Sequence, residues 1–315
     1  MPLKTLAGCY TALITPFTAD ASALDLSRFT EQINYQAKGG VAGIVPCGTT
    51  GESPTLSDFE WEQVVAHAIE IGRKKNLAVI AGTGSNNTAH AVELQRRAHQ
   101  LGADAGLSVN PYYNKPTQDG LYHHFMTIAD AAELPVVLYN IPGRSAVALQ
   151  PETIARLAKH PNIIAVKEAT GSIDSASAII AACNEAGAEI TIVSGDDTLT
   201  LPYASVGGRG VISVISNILP ARVQALCDAF LSECHWPKAR TIHYQLLPLA
   251  RGLLSLATNP IPVKTAMKIL NRDAGSMRLP MCSIENERTL QKIGSLLSSA
   301  GLQSSNDPES HLAGD

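Results

Sequence analysis

The segment PNIIAVKEATG, residues 161–171, holds the reading of the fold. Ile163, Ile164, Ala165 and Val166 follow one another without a polar break, and then come Lys167, Glu168 and a turn containing Gly171. A short, continuously apolar run suits a strand covered on both faces, as parallel strands are. Runs of the same kind lie at 10–15, 42–46, 77–81, 106–109, 136–139, 190–194 and 210–214, which with 163–167 makes eight. Most stand about 30 residues apart, and helical spacing fills the gaps. In DFEWEQVVAHAIEIG, Phe59, Val64, Val65, Ala68 and Ile71 are expected on one face, with Ser57 as N-cap. NTAHAVELQRRAHQLG ends at Gly102, a C-cap signal.

Strands that alternate with helices need crossover connections and are therefore parallel. Eight such units over about 230 residues predict an α/β (β/α)8 TIM barrel. A doubly wound open sheet is the alternative, but ITPFTADA after the first strand carries no GxGxxG. From 221 onward ARVQALCDAFL, HYQLLPLARGLLSLA and ENERTLQKIGSLLSSAG show helical periodicity. The expected organisation is a catalytic barrel over 1–230, a helical C-terminal region over 231–303 and a flexible polar tail over 304–315.

Composition narrows the function. Charged residues make up 17% of the 315, below the roughly 25% of an average soluble chain, which suits much buried strand or burial in an oligomer. The net charge of −4 is interspersed, so no basic field collects nucleic acid. No apolar stretch approaches the roughly 18 residues that span a bilayer. Cys9, Cys47, Cys183, Cys227, Cys234 and Cys282 are scattered with no CxxC, and a reduced, cytoplasmic protein is expected.

In a barrel of this type the chemistry sits at the C-terminal strand ends. Those ends read CGTTGES, NPYYNKP, YNIPGR, Lys167 and SGDD. They supply the amine of Lys167 at a strand end, three tyrosines, hydroxyls, an arginine and glycine-containing turns. The histidines form no HxH or HExxH, so no metal site is expected. A lysine desolvated at an apolar mouth loses its proton more easily. Lowering it from about 10.4 to about 7–8 takes roughly 4 kcal/mol of environment, and the neutral amine can then form a Schiff base with a ketone. Its bland alternative is an ammonium that snorkels or pairs with Glu168 or an aspartate. Gly48, Thr49, Thr50 and Gly51 form a turn suited to a carboxylate or phosphate, or an ordinary strand-to-helix turn. Tyr112 and Tyr113 could pack on a neighbouring subunit, and Tyr139 could be a core tyrosine. Arg144 could hold a carboxylate bidentately or be a solvated loop residue. Asp196 and Asp197 read better as a helix N-cap than as paired acids, and GTGSNNT at 82–88 better as turn and cap than as a phosphate loop.

Taken in order, GTTGES, NPYYNKP, LYNIPGR, VKEATG, SGDD, GVISV and NPIPVK closely resemble the dihydrodipicolinate synthase family of pyruvate-dependent, Schiff-base class I aldolases, which is related to N-acetylneuraminate lyase. The resemblance runs from about residue 5 to 303. It implies a barrel with a helical C-terminal region, usually as a homotetramer, and it implies roles. Lys167 would form the Schiff base with pyruvate, and Tyr139 would donate and accept protons. Thr49 would link Tyr139 to Tyr113, which would reach into the neighbouring subunit's site. Thr50 would bind the pyruvate carboxylate. Arg144 would receive the carboxylate of L-aspartate 4-semialdehyde, and the carbonyls of Gly195 and Ile212 would line the site. The implied reaction condenses these two substrates to 4-hydroxy-tetrahydrodipicolinate, the first committed step towards diaminopimelate and lysine, with no metal or organic cofactor. The rival within the class is a lyase acting on a sugar acid, which typically lacks the Arg144 and Tyr113 pair. A silent binding barrel would lack part of the Lys–Tyr–Thr set.

The chain departs from the family pattern in two places. Ser145 and Ala146 stand where Thr-Gly is common. At the positions of the family's lysine-feedback site Ser53, Asn86 and Tyr112 match, but Asp58, Trp61 and His90 replace two histidines and a glutamate. Losing the acidic partner of a bound ammonium removes roughly 1.5–3 kcal/mol, so weak or absent inhibition by lysine is expected.

Overall fold

The computed structural model describes residues 3–272 and 275–302, and within them each apolar run contributes a strand. These are β1 Gly8–Ala12, β2 Gly43–Val45, β3 Ala78–Gly82, β4 Ala105–Val109, β5 Val136–Asn140, β6 Ile163–Glu168, β7 Thr191–Ser194 and β8 Gly210–Ser213. All neighbours pair parallel, and β8 returns to β1 through Gly8↔Gly210 and Tyr10↔Ile212, so the barrel closes. The expected tail at 304–315 lies outside the described residues.

The first strand starts and ends earlier than its apolar run. Leu13 and Ile14 are fully buried but already lie in the following loop, where Ile14 donates its N–H to Asn217 Oδ1 at 3.3 Å. Burial, which the run reports, therefore outlasts the strand ladder.

Among the described residues twelve helices accompany the strands: α1 Leu26–Lys38, α2 Asp58–Lys74, α3 Thr88–Leu101, α4 Gln118–Asp130, α5 Pro142–Ser145, α6 Pro151–Leu157, α7 Ile173–Glu185, α8 Thr200–Ala204, α9 Pro220–Leu231, α10 Trp236–Leu256, α11 Ile261–Ile269 and α12 Glu287–Ser299. Ser57 caps α2 in a reciprocal box with Glu60, and Asn87 caps α3, so GTGSNNT is turn and cap. Gly102 closes α3 in the left-handed conformation at φ 89°. Phe59 departs from expectation: it is 70% exposed, and Trp61 takes the inward place with Val64, Val65, Ala68 and Ile69. Residues two apart on a helix point roughly 200° apart, so Phe59 and Trp61 cannot share the buried face.

Although the strands are largely apolar, their side chains alternate between two cores. Ala105, Leu107, Val137, Tyr139, Ala165, Val193 and Ile212 join the cluster inside the barrel. Val136, Leu138, Val166 and Ile192 pack outward against α4, α6 and α7. Side chains two apart on a strand share a face, so Lys167 follows Ala165 inward, and Glu168 follows Val166 outward. Helices α10, α11 and α12 share a cluster with β1 and α1, in which Leu249, Val263, Met267 and Ile293 lie with Cys9 and Phe29. No helix among the described residues is long and apolar enough to cross a membrane.

Candidate active site

Lys167 is the penultimate residue of β6 and is paired in register with Tyr139 on β5. Both side chains face the barrel interior and are nearly buried, at 6% exposure each. The Lys167 Nζ lies over the Tyr139 ring, 4.1 Å from its centroid. Burial in this apolar mouth pulls the amine down from the usual lysine range to about 7. The negative charge of Asp197 opposes that shift, and the positive charge of Arg144 adds to it. The Tyr139 phenol is pushed up by burial, against the pull of Arg144 and a hydrogen bond with Thr49. An amine near neutrality beside a phenol that keeps its proton is a nucleophile with a proton source at hand.

Glu168 is fully buried but serves another purpose. It accepts from Asn140 Nδ2 at 2.9 Å and from the Thr170 N–H at 2.8 Å, on the outer side of the barrel wall. Asn110 joins this layer by donating to Asn140 Oδ1 at 3.1 Å. The layer ties β4, β5 and β6 behind Tyr139 and Lys167, and it occupies the Glu168 carboxylate away from the lysine.

The turn after β2 carries Thr49 and Thr50. Its left-handed residues are Cys47 and Glu52, at φ 56° and 55°, and the glycines are not among them. Gly51 is needed for a close approach: a Cβ there would stand 3.1 Å from Leu13 O and from Thr15 Oγ1. Thr50 is 2% exposed, and its Oγ1 accepts from Asn259 Nδ2 at 2.9 Å. Two residues on, Glu52 is buried against Lys264 at 2.6 Å, and Lys264 also donates to Thr15 O and Ser276 O at 3.1 Å. Arg278 closes the same corner with its N–H on Glu52 and its guanidinium forked onto Glu60. The C-terminal region therefore holds the threonine turn in place.

Arg144 lies in α5 on the exposed rim and donates to the Asn259 carbonyl at 3.1 Å. The altered loop behind it is fastened by Ser145, whose hydroxyl lies 3.0 Å from Ile141 O and 2.9 Å from Val147 O. Ala146 takes the left-handed conformation, φ 60°, that a glycine would adopt without strain. Gly195 donates to Glu168 O at 2.7 Å, and a Cβ on it would come within 3.1 Å of Lys167 Cε, so the lysine stem runs against bare backbone. Ile212 is fully buried in the interior cluster.

Tyr113 stands apart. On the loop after β4 it has φ 74° and is 89% exposed, so one chain does not bring it into its own barrel mouth. Asp196 is a cap, accepting from the Thr198 N–H at 2.8 Å. Asp197 departs from the N-cap reading: it is a buried carboxylate whose Oδ2 takes the N–H groups of Val214 and Ile215. Asn259, Lys264 and Asp197 received no site role from the sequence. Asn259 and Lys264 begin and end NPIPVK, which was their only signal. A groove of about 840 Å³ lies between Lys4, Lys159, His160, Glu189 and Arg209 at the opposite mouth of the barrel. It contains none of the nucleophilic or proton-transfer groups above.

Comparison with known proteins agrees with this geometry. The model of the dihydrodipicolinate synthetase family matches residues 5–300. The 4-hydroxy-tetrahydrodipicolinate synthase of Endomicrobium trichonymphae is 50% identical over 285 residues, covering 90% of this chain and 95% of that one. The solved synthase of Methylacidiphilum fumariolicum is 42% identical, with a TM-score of 0.89 over 94% of this chain and 96% of that one. A synthase of Cyanidioschyzon merolae solved with lysine bound is 37% identical, with a TM-score of 0.89 over 94% and 98%.

Proposed function

Because this chain belongs to the dihydrodipicolinate synthetase family, we propose that it condenses pyruvate with L-aspartate 4-semialdehyde to 4-hydroxy-tetrahydrodipicolinate. The observation that carries the chemistry is the Lys167 amine, buried at the barrel mouth and brought to about 7. Its lone pair adds to the pyruvate ketone, and loss of water leaves an iminium. A methyl proton then leaves to give the enamine, with the iminium nitrogen taking up the electron pair. The enamine carbon adds to the aldehyde of the second substrate, and the new alkoxide takes a proton. Attack of that substrate's own amino group on the iminium carbon closes the ring and frees Lys167.

The other residues take supporting roles. Tyr139 moves the protons, with Thr49 on its hydroxyl. The Thr50 hydroxyl holds the pyruvate carboxylate, and Arg144 on the rim receives the carboxylate of the semialdehyde. The backbone of Gly195 and Ile212 lines the reacting centre. No metal or cofactor enters, because the iminium is itself the electron sink. The three relatives described above as synthases favour this reading over a sugar-acid lyase.

The exposure of Tyr113 supports a site completed by a neighbouring copy, and a homotetramer follows as our reading of the assembly. Exposed Ile173, Trp236 and Tyr244 offer apolar surface for further contacts between copies. The six free thiols fit a reducing cytoplasm.

The test is turnover of the two substrates, coupled to the next reductase and followed as loss of NADPH, with Lys167→Ala beside the wild type. Borohydride trapping of pyruvate on Lys167 accompanies it. Wild-type turnover and trapping, both lost in the variant, are expected. Folded wild-type protein without turnover would reject the substrate pair, and without trapping would reject the Schiff base.

A further inference from the structure

Thr50 is the only hydroxyl assigned to the pyruvate carboxylate, and a hydroxyl can point its single hydrogen in more than one direction. Asn259 decides that direction. Its Nδ2 donates to Thr50 Oγ1 at 2.9 Å, which occupies a lone pair of the oxygen and leaves the O–H free to donate elsewhere. No other hydrogen bond of the Thr50 hydroxyl is found among the described residues. The backbone carbonyl of Asn259 accepts from Arg144 Nη2 at 3.1 Å. One residue thus touches both groups assigned to the two substrate carboxylates.

Asn259 is also not an ordinary core amide. It is 92% buried, being 8% exposed, yet its Oδ1 has no hydrogen-bond partner among the described residues. Core amides are held at both ends, whereas this one is held only at the end that meets Thr50. A second rung keeps it in place: Lys264, five residues on, is ion-paired to Glu52, two residues beyond Thr50. The pairs 50–259 and 52–264 fix α11 and the loop before it against the turn after β2.

We propose that Asn259 is a positioning residue of the condensation, which sets the Thr50 hydroxyl as a donor to the pyruvate carboxylate and links that contact to Arg144. This rests on the pyruvate reading above. Replacing the amide by a carboxylate of the same shape reverses the contact, because Thr50 must then donate to residue 259 and turn its hydrogen away from the substrate. The carboxylate would also repel that of pyruvate.

The experiment titrates pyruvate in the borohydride-trapping reaction, reading the fraction of Lys167 carrying the reduced adduct by mass spectrometry. The proteins are wild type, Asn259→Ala, Asn259→Asp, Thr50→Val and the doubles of Thr50→Val with each Asn259 variant. Circular dichroism at each titration's conditions establishes folding. Thr50→Val is expected to raise half-saturating pyruvate about tenfold, the effect of losing one hydrogen bond to a charged group. Asn259→Ala is expected to raise it about threefold, and Asn259→Asp at least as much as Thr50→Val. On the Thr50→Val background the Asn259→Ala effect is expected to vanish, because the hydroxyl it acts through is gone. A merely structural role would persist on that background. Half-saturation unchanged in Asn259→Asp, or an Asn259→Ala effect that multiplies in full onto Thr50→Val, overturns the proposal. If Asn259→Ala does not fold, the shape-preserving aspartate alone and with Thr50→Val decides the matter, since an aspartate effect that multiplies in full would be independent of Thr50. A wild type that traps no pyruvate overturns the pyruvate reading itself, and this proposal with it.

Discussion

Replacing Lys167 by methionine should abolish turnover and make the protein more stable, by an amount that depends on pH. In the unfolded chain the amine keeps its proton up to about 10.5, whereas in the folded barrel it releases it at about 7, chiefly through burial. Between those values the unfolded state binds more protons, so stability rises with pH across that window. Each pH unit between them is worth about 1.4 kcal/mol. The folded wild type therefore carries a penalty of about 5 kcal/mol below pH 7, which is relieved as pH approaches 10.5. Methionine has a similar length, no charge and a preference for irregular apolar gaps, so it escapes the penalty at every pH. The assay is urea unfolding of both proteins at equal protomer concentration, from pH 6 to pH 9.5. The stability gap is expected to fall from about 5 to about 1–2 kcal/mol over that range, other groups cancelling in the difference. A gap that does not change with pH, or a variant less stable throughout, would refute the argument that burial sets the amine. In the wild type, adduct formation with pyruvate should fall about tenfold per pH unit below 7, as the neutral amine of Lys167 is titrated away.

Four further outcomes are expected. Tyr139→Phe should lower kcat by about 10²–10⁴ while leaving the protein folded, as seen by near-ultraviolet circular dichroism; near-normal turnover would remove Tyr139 from the proton path. Lys264→Met should cost about 3–5 kcal/mol in urea unfolding because it strands buried Glu52, and Glu52→Met with Lys264→Met should recover much of that loss. Ala146→Gly should stabilise by about 0.5–1 kcal/mol in the same assay by relieving the left-handed alanine, and a loss of stability would place the strain elsewhere. A lysine titration into the millimolar range should show weak or no inhibition: Asp58 is 3.9 Å from both His90 and the Arg97 guanidinium, and the Trp61 indole N–H is already donated to Gly82 O. Strong cooperative inhibition would show that these replacements still bind an ammonium.

The division of the chain at residue 230 remains our proposal, and the packing bears on how it is understood. Residues beyond it supply Asn259 to Thr50 and Lys264 to Glu52, and they share a core with β1 and α1. The helical region is thus part of what holds the site, and it offers the reason NPIPVK lies so far along the chain from the turn it serves.

The sequence by itself determined the order and number of the strands, their parallel sense, and Lys167 and Tyr139 as strand-end groups. These follow from burial of short segments and from chain connectivity, both of which are local and leave a pattern along the chain. It also marked Ser57, the GTGSNNT segment and Gly102 as helix ends, because capping is settled within a few residues. Only the tertiary structure decided which face each strand residue takes, since a run that is apolar throughout carries no alternation to read. That choice sends Lys167 inward over Tyr139 and Glu168 outward to Asn140. It likewise decided the partners joined across long separations: Thr50 with Asn259, Glu52 with Lys264, and Asp197 with the backbone beyond β8. Such contacts depend on closure of the barrel and on the docking of α11 beside it, and nothing in the local residue pattern records which distant segment will arrive.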